Sequence, residues 1–174
     1  MNSNIPSGPN SPKTVFCRVE IPKGGTNKYE FHHTMNQLIL DRVLPGSVFY
    51  PTEYGYIPST LAEDNDPLDI MVMVSSPTIP GCLIRSRVIG GLEIVDTGER
   101  DTKIIAVGEN DPRMDHYRNL DDLSPAVKEE IADFWESYAN LQSAKEIRVG
   151  EWLYKKQAYL IIKESEQRWQ KTKK

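Results

Sequence analysis

The hydrophobic pattern changes period once along the chain, and that single change restricts the fold more than any other feature. From Val15 to Gly108 apolar side chains come mostly in short alternating or continuous runs. After Ser124 they recur at spacings of three and four. Val15, Cys17, Val19 and Ile21 alternate with Phe16, Arg18 and Glu20, which predicts a strand with one buried face. Further strands are predicted around Lys28–His33, Gln37–Leu44, Asp69–Val74, Leu83–Asp96 and Lys103–Val107, with Gly, Pro and Asn between them. Gly90-Gly91 inside the long fifth run predicts a bulge or sharp bend, as a small barrel needs at a corner. Ser124-Pro125 reads as an N-cap followed by Pro at the first helical position. Val127, Ile131, Phe134, Tyr138 and Leu141 then form one apolar stripe. A second helix is expected from about Trp152 to about Lys171. Strands first and helices last predict an α+β domain, a small curled sheet or barrel with helices against it.

At 174 residues, one domain spanning 1–174 is the simplest division, with 1–13 as a flexible or draped arm rich in Pro, Ser, Asn and Gly. A net charge of -4 argues against a general nucleic-acid binder. The first residues have no basic-then-apolar signal pattern, and no apolar run reaches the roughly 18 residues of a membrane span. Cys17 and Cys82 match no zinc-ligand spacing and are expected as buried thiols of a reducing compartment. A cytoplasmic location without membrane or nucleic-acid partner is the expectation.

The stretch Glu63-Asp64-Asn65-Asp66-Pro67-Leu68-Asp69 puts four carboxylates into seven residues and runs straight into the apolar Ile70-Met71-Val72-Met73-Val74. Two unit charges 5 Å apart repel by about 3 kcal/mol at an effective dielectric near 20. A solvated acidic turn that caps a strand relieves that repulsion. A stiff cage for a hard cation uses it. Pro67 stiffens the backbone, and Asp69 opens an apolar strand and cannot swing far. In an extended chain Asp64 and Asp66 would point the same way, about 7 Å apart. The stretch is no EF-hand loop, because Ser75 stands at the twelfth position from Asp64.

A second acidic group, Asp96 and Asp101, flanks a turn and is followed by Lys103. Alone it is an ordinary charged hairpin tip. Both groups nevertheless lie at strand ends, where a sheet can bring them together. Carboxylate donors without a His/Cys cluster select Mg²⁺, Mn²⁺ or Ca²⁺ over Zn²⁺. Magnesium held by few carboxylates completes its shell with water and phosphate oxygens. Cations and hydroxyls for phosphate are therefore expected, and Lys28, Arg42 and the tyrosines at 50, 54 and 56 are available. Each also has a plain structural explanation: Arg42 as a surface ion pair, the tyrosines and Tyr138 as core. His32, His33 and His116 are read as surface or core residues.

In order along the chain these residues resemble family I soluble inorganic pyrophosphatases. The signature is D-x-D-P-x-D, here Asp64-Asn65-Asp66-Pro67-Leu68-Asp69. Around it stand Glu20-Ile21-Pro22, Lys28-Tyr29-Glu30, Asp41-Arg42-Val43-Leu44, Tyr50-Pro51 with Tyr54-Gly55, Asp96-x4-Asp101-x-Lys103, and Phe134-Trp135-Glu136-Ser137-Tyr138. The resemblance implies a five-stranded OB-like antiparallel β-barrel with additional strands and two helices. It implies hydrolysis of pyrophosphate to two phosphates with several Mg²⁺ ions, Mn²⁺ being a possible substitute, in a homo-oligomer, often a hexamer in bacteria and archaea. By the same resemblance, Asp64, Asp69, Asp101, Asp96 and Glu20 hold metal, and Asp66 is the general base. Lys28, Arg42, Lys103, Tyr54 and Tyr138 bind phosphate, with Glu30 and Tyr50 shaping the site.

Three positions depart from the family pattern. Asn65 replaces a usual Gly, but Asn tolerates unusual backbone angles. Thr97 stands where an acid is frequent. Ala139 follows Tyr138 where the family usually has Lys, and a lost charge-assisted contact costs about 1.5–3 kcal/mol, roughly ten- to a hundredfold. Lys145 is the nearby candidate to replace it. Ala139 motivates the alternative of a catalytically impaired phosphate- or metal-binding homologue; retention of Asp66 argues against it. A nucleotide pyrophosphohydrolase is the weaker third reading, since neither a P-loop nor an adenine-stacking platform is evident.

Overall fold

The computed structural model describes residues 5–32, 34–140 and 147–173. His33, Leu141 and Lys145 lie outside the described residues. Among those described, the order is β1 (Thr14–Ile21), β2 (Asn27–His32), β3 (Gln37–Val43), β4 (Glu53–Tyr56), β5 (Asp69–Met73), β6 (Leu83–Asp96), β7 (Glu99–Gly108), α1 (Pro125–Asn140), β8 (Ile147–Tyr154) and α2 (Lys155–Lys171).

β1 pairs with β4, β4 with β5, β5 with β7 and β7 with β6, and β6 returns to β1, so five strands close a ring. Four seams are antiparallel. The fifth, β5–β7, is parallel, with Ile70 opposite Ile104 and Val72 opposite Ala106. A ring with an odd number of strands cannot alternate direction all the way round, so one parallel seam is unavoidable in this OB-like arrangement. β2 and β3 form a separate hairpin, and β8 adds to the ring along the second half of β6.

β6 serves three neighbours because it bends. Its first residues pair with β1 and its last with β8, and the register against β7 shifts between Val88 and Gly90. The bend expected at Gly90-Gly91 is there. A side chain at Gly90 would place its Cβ 2.7 Å from the Leu153 carbonyl oxygen, so β8 can approach only because this residue has none.

Alternation along the strands separates two apolar clusters. Val15, Cys17, Val19, Ile70, Val72, Val88, Ile104 and Ala106 form one, completed by Ala158 and Ile162 of α2. Met71, Met73, Leu92, Ile94, Ile105 and Val107 form the other, against Ile131, Phe134, Trp135 and Tyr138 of α1. α1 begins where the sequence predicts: the Ser124 Oγ accepts from the Val127 N–H at 3.4 Å. The second helix does not start near Trp152. Ile147–Tyr154 is strand, Trp152 lies opposite Leu92, and α2 begins at Lys155 after Tyr154 donates its N–H to Gln157 Oε1 at 2.9 Å. Pairing with β6 outweighs the helical spacing of those few residues.

The described part of the N-terminal segment lies against the body. Ser59 Oγ donates to the Ile5 carbonyl at 2.8 Å, Phe16 N–H donates to the Ser7 carbonyl at 2.7 Å, and Ser7 Oγ bonds Glu166 on α2.

Candidate active site

Asp69, Asp101, Lys103, Ile94 and Asp96 share strand faces with the apolar residues that meet α1, so β5, β6 and β7 present them side by side. β4 adds Tyr54 and Tyr56, β1 adds Glu20, the β2–β3 hairpin adds Lys28, Glu30 and Arg42, and α1 closes one wall with Trp135 and Tyr138. The result is a cleft of about 360 Å³. All thirteen side chains singled out from the sequence line it, Tyr50, Asp64 and Asp66 included. Tyr56, named with the available tyrosines, lines it as well, and so do Phe31, Pro67, Ile94, Trp135 and Ile147, which were given no site role. Trp135 carried a readable signal, since it sits four residues after Ile131 and three before Tyr138 on the apolar stripe.

Lys103 is the centre of the charge arrangement. Its side chain is 3% exposed, and its Nζ lies 2.7 and 2.6 Å from the two Asp101 oxygens and in direct contact with Asp69. Burial disfavours its charge, but Asp69 and then Asp101 outweigh burial and raise its pKa above the usual lysine range. Tyr54 Oη donates to Asp69 Oδ2 at 2.6 Å, and Lys103 Nζ is 3.4 Å from that hydroxyl. Burial raises the Tyr54 pKa well above its ordinary value, and Asp69 adds to the rise, so the hydroxyl stays a donor.

Glu20 is held by the Phe31 N–H at 2.8 Å. Burial pushes its pKa up to about 8; the Phe31 bond opposes the rise and Asp69 adds to it. Asp101 is also raised, by burial first, with Lys103 opposing and Asp69 adding. At the hairpin, Lys28 Nζ donates to Glu30 Oε1 at 2.6 Å and lies 3.4 Å from Asp41. Arg42 Nη2 donates to Tyr138 Oη at 2.9 Å, tying β3 to α1 across the cleft.

The acidic loop differs from the extended chain expected for it. Asn65 takes φ 70°, and the Asp66 N–H donates to Asp64 Oδ1 at 3.0 Å. Asp64 therefore turns back on its own loop, and Asn in place of Gly accommodates the turn. Ala139, the departure on α1, packs partly buried against the apolar cluster and brings no donor.

Among the described residues, seven carboxylates and three cations line the cleft. Among the described residues no three His, Cys, Asp or Glu side chains are grouped closely enough to enclose one cation. The ammonium of Lys103 lies between Asp69 and Asp101, where such an ion would compete with it. No helix of the described residues is long and apolar enough to cross a membrane.

Comparison with known proteins places the chain in one family. The family model described as inorganic pyrophosphatase matches residues 17–170. The inorganic pyrophosphatase of Geobacillus stearothermophilus is 47% identical over 161 residues, covering 92% of this chain and 97% of its own. That of Nostoc sp. is 49% identical over 140 residues, covering 80% of this chain and 82% of its own. The crystal structure of the Thermus thermophilus inorganic pyrophosphatase superposes with a TM-score of 0.93 at 40% identity, over 95% of this chain and 97% of that one.

Proposed function

The chain belongs to the inorganic pyrophosphatase family, and from that premise we propose how its cleft hydrolyses pyrophosphate to two phosphates. One observation carries the reading: among the described residues, seven carboxylates outnumber three cations in a cleft that must admit a polyanion. Coulomb repulsion excludes pyrophosphate from such a place unless divalent cations come with it. The donor set fits them. Among the described residues the lining offers carboxylate oxygens without thiol or imidazole, and Glu20, pushed up to about 8, needs a positive neighbour to ionise at neutral pH. We assign Asp64, Asp69, Asp101, Asp96 and Glu20 to hold the cations, with Mg²⁺ preferred and Mn²⁺ a substitute. When bound, these ions supply Lewis acidity, which neutralises phosphate charge and acidifies water.

The chain's own residues do the rest. Asp66, exposed at the cleft rim, takes the proton of the attacking water as general base. Lys103, Lys28 and Arg42 hold phosphate oxygens, and the Tyr54 and Tyr138 hydroxyls donate to them. These donors steady the charge that gathers on the leaving phosphate. Glu30 orients Lys28, and the buried Tyr50 shapes the floor by packing tilted against Tyr54 and Phe134, with ring centres 5.1 and 4.6 Å away. Exposed apolar side chains around the hairpin, Leu40, Val43 and Phe49 among them, support a homo-oligomer. A single domain working in the cytoplasm completes the reading.

The test is phosphate release from pyrophosphate with Mg²⁺, wild type beside Asp66→Asn. The substitution keeps size and leaves the exposed loop intact, so folding should be unchanged while turnover falls about 10²- to 10⁴-fold. Turnover equal to the wild type would remove Asp66 from the base role.

A further inference from the structure

Of the three described cations of the cleft, Lys103 is the most buried, with a side chain 3% exposed against 21% for Lys28 and 40% for Arg42. Its two anionic partners, Asp69 and Asp101, are the carboxylates assigned above to divalent cations. Those partners are shared, and a cation that engages them weakens their grip on the ammonium. Two aromatic faces also hold it and are not shared. Lys103 Nζ lies 5.2 Å from the Trp135 ring centre and 5.7 Å from that of Tyr54. Both fall within the roughly 6 Å at which a ring face attracts a cation, and indole is the strongest such face.

Trp135 is itself rigidly set. It meets Tyr54 edge-on at 5.9 Å and 61°, Tyr138 at 5.8 Å and 74°, and Phe134 at 5.1 Å and 72°. Its indole N–H is buried and makes no hydrogen bond with the described residues. A buried indole normally finds a partner for that N–H. Here the ring stands at the cleft wall without one among the described residues, and the feature it offers the site is its face.

We propose that Trp135 is a positioning residue for Lys103: with Tyr54 it forms an aromatic clamp that keeps the ammonium aimed into the cleft, for phosphate, once Asp69 and Asp101 engage a divalent cation. The inference rests on the phosphate-holding role given to Lys103. No proton or bond changes hands at Trp135.

A double-mutant cycle tests it. Pyrophosphate KM and kcat are measured for Trp135→Phe, Trp135→Leu, Lys103→Met and the two combinations, with folding followed by near-ultraviolet circular dichroism. Trp135→Leu should raise KM roughly 2- to 30-fold, the range of a cation–π contact. Trp135→Phe should recover part of that loss, and neither should add to Lys103→Met. A KM effect that persists undiminished beside Lys103→Met, or Phe as damaging as Leu, overturns the proposal and leaves Trp135 a packing residue. Should Trp135→Leu fail to fold, Trp135→Phe in the two backgrounds decides alone. The second readout needs no substrate. The ε-methylene protons of Lys103 should resonate upfield of free lysine, under the indole ring current, and stay there as Mg²⁺ is added. Movement to the free-lysine position on adding Mg²⁺ would also overturn the clamp. If Lys103→Met behaves as wild type, the phosphate role of Lys103 falls and the clamp with it. If only the Trp135 variants are silent, the clamp alone falls.

Discussion

Two non-glycine residues at the cleft rim hold left-handed backbone angles, Asn65 at φ 70° and Thr97 at φ 53°. Asn visits that region at little cost, whereas a β-branched residue is strained there by about 1–3 kcal/mol. Thr97 recovers part of this through its hydroxyl, which donates to Asp96 Oδ1 at 2.9 Å. Replacing it by Asn keeps a polar side chain and removes the branch. Thr97→Asn is therefore expected to add about 1 kcal/mol of stability, raising Tm by about 2–4 °C in thermal unfolding. A lower Tm would mean that the Thr97–Asp96 bond outweighs the strain. At this scale the acids, cations and tyrosines were legible because each residue type has a chemistry of its own. The direction of Asp64 was not, because the turn at Asn65 decides it. Trp135 hid in an apolar stripe whose ordinary meaning is core.

Elements were legible in proportion to their length and punctuation. The helix start at Ser124-Pro125 and the bend at Gly90-Gly91 could be read locally, since a cap and a missing Cβ act over a few residues. β4 spans only Glu53–Tyr56 with a Gly inside, too short to show a period. β8 was missed because its first residues follow a stretch without pattern and its last two, Leu153 and Tyr154, run into the spacing of α2. What makes β8 a strand is β6 beside it, a fact of tertiary pairing. That pairing depends on Gly90, where an added Cβ meets the Leu153 carbonyl at 2.7 Å and Leu120 Cδ1 at 3.2 Å. A backbone carbonyl in a paired strand cannot move aside as a side-chain tip can. Gly90→Ala should destabilise the chain by about 1–3 kcal/mol in denaturant unfolding, within the range for overpacking. It should do so without touching any side chain of the cleft. An unchanged midpoint would show that β8 yields, and that the bend at Gly90 does not depend on the missing side chain.

At the scale of the whole molecule, the closed ring was expected and its parallel seam was not, although an odd strand count requires one. The ring's other consequence is electrostatic: strand ends distant in sequence bring Glu20, Asp69 and Asp101 together, and folding must confine their charge. Burial and Asp69 move Glu20 from an ordinary 4.5 to about 8, and Asp101 is raised in the same sense. A carboxyl whose folded pKa is raised contributes stability that is complete below its unfolded pKa and lost as pH rises through the folded one. For Glu20 that window runs from about 4.5 to about 8. Lys103, also raised, keeps its contribution throughout the window, because it titrates above it. The metal-free protein should thus lose Tm as pH rises from 5 to 8. A divalent cation reverses the sign for the same carboxyls, since it favours their ionised form. Each pK unit it removes amounts to about 1.4 kcal/mol, and each kcal/mol to about 2–4 °C. Excess Mg²⁺ should therefore raise Tm by an increment that grows steadily with pH, read as paired thermal scans with and without chelator. An increment that is flat with pH, or larger at pH 5 than at pH 8, would mean that the cation binds away from Glu20 and Asp101, and that their raised pKa values do not mark its site.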